Sequence, residues 1–109
     1  MIVNPAMEVS NTTNVSFNEC NNLILKIVAN RALTVLSLNR KRAYAAFINV
    51  SLSDITLILG ETTDRVPNKG IILKPNGSFE ITQINLFTGK VSAICTADSE
   101  LSAIECFFT

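Results

Sequence analysis

Three cysteines, a scatter of carboxylates and one basic triplet are the residues of this sequence that could do chemistry. Cys20, Cys95 and Cys106 are odd in number, and no two stand at Cys-x-x-Cys spacing. That spacing predicts neither a disulfide framework nor a zinc site. Cys95 and Cys106 lie in apolar runs, where a free thiol behaves as a small hydrophobe, so both read as core thiols. The chain has no His, which removes the commonest general base and the commonest metal ligand together. Asp54, Glu61, Asp64, Glu80, Asp98, Glu100 and Glu105 supply carboxylates. Most fall at the ends or on the outer faces of expected strands, where solvation is the default. Glu61-Thr62-Thr63-Asp64 is too sparse in oxygen ligands for a calcium loop. Gly60, Gly70, Gly77 and Gly89 stand singly, so no phosphate-binding loop exists, and there is no Gly-x-Ser-x-Gly elbow. The expectation is a protein that is not an enzyme, without cofactor, metal or small-molecule substrate.

Two further groups suit a surface contact. Arg40-Lys41-Arg42 is either a patch for an acidic partner surface or for nucleic acid, or the solvated start of a strand, its charges blunting a sheet edge. Phe107-Phe108 must point to opposite sides of an alternating strand. One ring then faces a second layer or a partner subunit, or both are buried in a two-sided core. Arg40, Lys41, Arg42, Phe107 and Phe108 are the candidate partner-binding residues.

The elements that must position these groups read as strands. The chain has 109 residues, one domain's worth, and 48% of them are hydrophobic. Nine basic and nine acidic side chains leave no net charge, which argues against phosphate-driven nucleic-acid binding and weakens self-repulsion. Residues 1–19 are Asn-, Thr- and Ser-rich and are expected to form an extended arm, either a free terminus or one that orders on a neighbouring subunit. Nothing in Met1-Ile2-Val3-Asn4-Pro5 resembles a targeting segment, and the longest apolar stretch, Ala43 to Ile48, is too short to span a bilayer. A soluble product made in a cytoplasm is therefore expected, and the sequons at Asn11, Asn14, Asn49 and Asn76 read as coincidence.

From Leu23 the texture is short alternating runs. Leu23 to Val28 and Ala32 to Leu38 favour strands on β-branched content, with helix left open for residues 29–38. Tyr44, Ala46, Ile48 and Val50 share one face of a strand, with Ala45, Phe47 and Asn49 on the other. Ser51 to Asp54 breaks the run before Ile55 to Leu59, and the two strands are expected to pair as a hairpin. Lys74-Pro75-Asn76-Gly77 has turn chemistry, and after it Phe79 and Ile81 point inward. Leu86 to Lys90 and Ala97 to Glu100 are turns before the strands at Val91 and Leu101. Strands spaced at about ten residues predict an all-β fold, an antiparallel β-sandwich or jelly-roll-like barrel over residues 20–109, with the arm before it.

The stretch from residue 40 to 105 also has a cadence. It runs Arg42-Ala43-Tyr44-Ala45-Ala46-Phe47-Ile48-Asn49-Val50-Ser51, then Gly70-Ile71-Ile72-Leu73-Lys74-Pro75-Asn76-Gly77-Ser78-Phe79-Glu80-Ile81. It closes on Asn85-Leu86-Phe87-Thr88-Gly89-Lys90-Val91-Ser92-Ala93-Ile94. This order resembles a group of small virion proteins of tailed bacteriophages. The resemblance implies a structural protein of the particle, of the capsid cement or decoration type, bound to the major capsid protein as a homo-oligomer, with a trimer favoured. It implies no catalytic residue. The alternatives are a tail, neck or fibre component of the virion, or a host-surface or glycan-binding module. One Tyr and no Trp count against the last.

Overall fold

A computed structural model describes residues 17–61, 66–67 and 69–108. Apart from residues 17–19, the expected arm lies outside the described residues, as do the sequons at Asn11 and Asn14. The described chain forms eight strands and no helix: β1 (Glu19–Ile27), β2 (Leu33–Leu36), β3 (Arg42–Asn49), β4 (Ile55–Leu59), β5 (Ile71–Leu73), β6 (Ser78–Ile81), β7 (Val91–Cys95) and β8 (Ser99–Phe107). They build two antiparallel four-stranded sheets, ordered β1-β8-β3-β6 and β2-β7-β4-β5. Each sheet pairs its first strand with the last or next-to-last strand of the chain, and sequential strands mostly change sheets. That order is the double-sheet jelly roll, so the expected all-β sandwich is what forms. Residues 29–38 contain strand β2 and no helix.

Period-two alternation explains why the sheets close on each other. In β3, Ala43, Ala45, Phe47 and Asn49 are buried while Tyr44, Ala46 and Ile48 face out. The inward row meets Leu101 and Ala103 of β8 and Ile81 of β6. Ile55, Leu57, Leu73, Val91 and Ala93 cover it from the other sheet. Cys95 is buried in this core as a free thiol, in keeping with the apolar run around it.

The expected β3–β4 hairpin does not form: β3 belongs to one sheet and β4 to the other. The break at Ser51 to Asp54 is an arch across the sandwich. Buried Asn49 sets it, donating from Nδ2 to the Ser53 carbonyl (2.7 Å) and the Leu73 carbonyl (2.9 Å) and accepting the Ser51 amide at Oδ1 (2.8 Å). The turn at Lys74 to Gly77 forms as its residues dictate. Asn76 takes φ 65°, and the Gly77 amide donates to the Lys74 carbonyl at 2.7 Å, the geometry of a type II turn. It too crosses between sheets. Gly70 enters β5 at φ +142°, and a Cβ there would lie 2.2 Å from the Leu57 carbonyl oxygen, so no other residue fits.

Two of the chemically suggestive groups prove to be structural. Cys20 and Cys106 are directly opposed on β1 and β8 and form a disulfide closing 86 residues of chain. The sequence reading of no disulfide is corrected: two cysteines far apart in sequence become cross-strand neighbours only when β8 inserts beside β1. Arg42 is also corrected. It is not on the surface but wholly buried. Its Nε donates to Glu105 Oε2 (2.8 Å), Nη1 to the carbonyls of Phe87 and Gly89 (both 2.9 Å), and Nη2 to that of Ser37 (2.8 Å).

Candidate interaction face

The outer face of sheet β1-β8-β3-β6 can be built row by row from the register. Cys20, Cys106 and Tyr44 form the first row; Asn22, Ile104, Ala46 and Glu80 the second; Ile24, Ser102, Ile48 and Ser78 the third. Lys26 and Glu100 begin a fourth row, and Val50 completes it, its amide donating to the Glu100 carbonyl at 3.2 Å. The middle of this face is apolar. Ile24 is 63% exposed, Ile48 43% and Val50 47%. Small Ser102 between Ile24 and Ile48, and Ala46 beside Ile104, leave a trough of about 270 Å³. β-Branched residues are here because they suit a pleated surface, yet nothing in the described fold covers them.

The apolar surface continues past the fourth row to the loop end of the sandwich, where Val28 is 52% and Leu52 96% exposed. An open cleft of about 600 Å³ lies there, lined by Lys26, Val28, Val50, Leu52, Asp98 and Glu100 among others. Its polar groups are largely engaged in holding the loops. Asp98 Oδ1 accepts the Ala29 amide at 2.9 Å, and Ser51 bonds the backbone of Glu100 through its hydroxyl. Among the described residues no three Cys, Asp or Glu side chains gather as a metal site would require.

The opposite end carries the other sequence candidates. Arg40 and Lys41 are exposed on the turn before β3, where the Lys41 amide donates to Asn39 Oδ1 at 3.0 Å. Phe107 pairs in register with Arg42, and the Phe108 amide donates to the Lys41 carbonyl at 2.9 Å. Both Phe rings are half-buried. Arg40, Lys41, Phe107 and Phe108 are thus brought together, while Arg42 turns inward between them. The first row of the face adjoins them. Phe17 stacks on Tyr44 with ring centroids 6.3 Å apart, and Tyr44 Oη donates to Glu80 Oε2 at 2.5 Å. The hydrogen bond to Glu80, helped by partial burial and the carboxylate's charge, raises the Tyr44 pKa above its ordinary value of 10.0.

Sequence reasoning missed most of this face. Ile24, Ile48 and Ile104 read as ordinary strand residues, and only the assignment of β1, β3 and β8 to one sheet makes them neighbours. The available signal was apolar residues on both faces of the Tyr44 strand, which a sheet with one solvated face does not need. No protein-family model, curated protein or solved structure matches this chain.

Proposed function

We propose that this chain is a structural protein of a bacteriophage virion, a cement or decoration protein that binds the major capsid protein. The observation that carries this reading is the apolar face of sheet β1-β8-β3-β6, left uncovered by the described residues, on a fold with its own buried core. A contiguous exposed apolar patch marks an interaction site more often than scattered apolar residues do. The phage-like cadence of residues 40–105 and the absence of net charge support the same reading. Each copy contributes a modest apolar contact, at roughly 25 cal/mol per Å² buried, and a symmetric cluster of copies multiplies it. The chain is made in the host cytoplasm, and the Cys20–Cys106 bond closes once the particle leaves that reducing compartment.

Quantitative mass spectrometry of purified virions gives the first test, with a copy number near that of the capsid protein expected. A ratio closer to the portal's moves the protein to the neck or tail, and its absence from particles ends the proposal. Ile48→Asp and Ile104→Asp then test the face. Each should weaken binding to stripped particles by about tenfold or more, since a charge is buried without a partner, while leaving the circular dichroism unchanged.

A further inference from the structure

The described sandwich has four edge strands, and one differs from the rest. β2, β5 and β6 are four, three and four residues long, and short edges are a common protection against unwanted pairing. β1 is nine residues long. It has no Pro, its register with β8 runs without a bulge from Glu19 to Ile27, and its two charges, Glu19 and Lys26, lie toward its ends. Its inward side is also unfinished: Leu23 and Leu25 pack against the core but remain only partly buried. Among the described residues none pairs with this edge: Phe17, just before β1, stacks instead on Tyr44 of β3, two strands away.

The register shows which backbone groups are free. The Val50 amide bonds the Glu100 carbonyl, so the even-numbered residues of β8 direct their backbone groups to β3. Cys20 and Cys106, with Cα atoms 4.0 Å apart, have the close spacing of a non-hydrogen-bonded pair. Both observations turn the N–H and C=O of Cys20, Asn22, Ile24 and Lys26 away from β8, out to the free edge.

We propose that this edge pairs with the β1 edge of a second copy, antiparallel and about a two-fold axis at Ile24. In that register Ile24 meets the second copy's Ile24 on the outer face. Leu23 meets the second copy's Leu25 on the inner face, and Leu25 its Leu23. Asn22 meets the second copy's Lys26, and the two lysines stand about 14 Å apart. Shifting the axis to Leu23 would set Leu25 against Asn21, and shifting it to Lys26 would oppose the two lysines; the axis at Ile24 avoids both and sets Ile24 against itself on the outer face. Even-numbered residues then form the hydrogen-bonded pairs, giving about six backbone bonds, and the half-buried leucines complete each other's cover. The two sheets become one of eight strands with a doubled outer face. The contact is isologous and closes as a dimer. It does not depend on the capsid reading, since it concerns the isolated chain.

Such a contact is smaller than the standard interface of roughly 1,600 Å², so association in the micromolar range is expected. The test is sedimentation velocity on the full oxidised chain up to several hundred micromolar, with hydrogen exchange on the same samples. The expected result is a species of twice the chain mass. Ile24→Lys, at a position 63% exposed, should weaken it at least tenfold by opposing two charges on the axis, whereas Leu52→Lys should leave it unchanged. The amides of Asn22, Ile24 and Lys26 should be protected in wild type and exchange quickly in Ile24→Lys, with those of Asn21, Leu23 and Leu25 protected in both. A monomer throughout, a trimer, or a dimer indifferent to Ile24→Lys with fast edge amides would each overturn the pairing.

Discussion

Arg42 uses four hydrogen bonds to hold three separate segments: the turn after β2, the loop before β7, and β8 through Glu105. Asn39 adds a bond to the same Glu105 oxygen at 3.4 Å. A buried guanidinium is tolerable only because carbonyls and a carboxylate replace its water. Arg42→Ala should therefore cost about 3–5 kcal/mol, the usual penalty for breaking a buried pair, measured by urea denaturation. Lys cannot reproduce the planar fork, so Arg42→Lys should recover only part of that loss; full recovery would show that charge alone matters there. At the same scale, Tyr44 is the only Tyr in a chain without Trp, so its titration can be followed directly by ultraviolet absorbance. Its pKa is raised chiefly by the hydrogen bond to Glu80. The folded state therefore holds the phenol proton more tightly than the unfolded chain does. That contribution to stability is fully present below the ordinary pKa of 10.0 and is lost as pH rises through the raised one. Glu80→Gln should move the midpoint back toward the ordinary value, and an unchanged midpoint would mean the bond does not form in solution.

Strand β1 shows how an element's security depends on its neighbours. Among the described strands it has one pairing partner, β8, and the disulfide fastens it there. In the chain-entropy account, a bond closing 86 residues contributes about 4–5 kcal/mol through the unfolded state. Cys20→Ser with Cys106→Ser should lower the unfolding free energy by that order, and reductant should have the same effect on wild type alone. A loss under about 1 kcal/mol would place the bond outside the cooperative unit. The strands themselves are legible in the sequence: alternation in Ala43 to Asn49 and Ser78 to Ile81 is local, and Pro75 with Asn76 can hardly avoid a turn. What each strand pairs with is not. The arch at Asn49 looks like a hairpin loop in sequence, because the carbonyl of Leu73 that Asn49 bonds lies 24 residues away.

At the scale of the whole molecule, the jelly roll interleaves early and late strands, so that β1 and β8 are adjacent. Such non-local pairing makes the candidate face a property of the fold and of no single segment. Its apolar centre draws on β1, β3 and β8, and the particle-binding losses expected for Ile48→Asp and Ile104→Asp test strands far apart in sequence. The eight-stranded sheet inferred for the dimer would set two such faces side by side, so a variant that dissociates the dimer should also weaken particle binding through lost avidity.

By itself the sequence determined the all-β class, the positions of most strands, the turn at Lys74 to Gly77 and the burial of Cys95. All of these follow from alternation and backbone chemistry within a few residues. The tertiary structure alone decided the disulfide, the inward turn of Arg42, the arch after β3 and the apolar face around Ser102. Each depends on residues separated by dozens of positions, brought together when late strands insert between early ones. A free cysteine and half of a cross-strand bond, or a surface arginine and a buried clamp, look alike until the neighbouring strand is known.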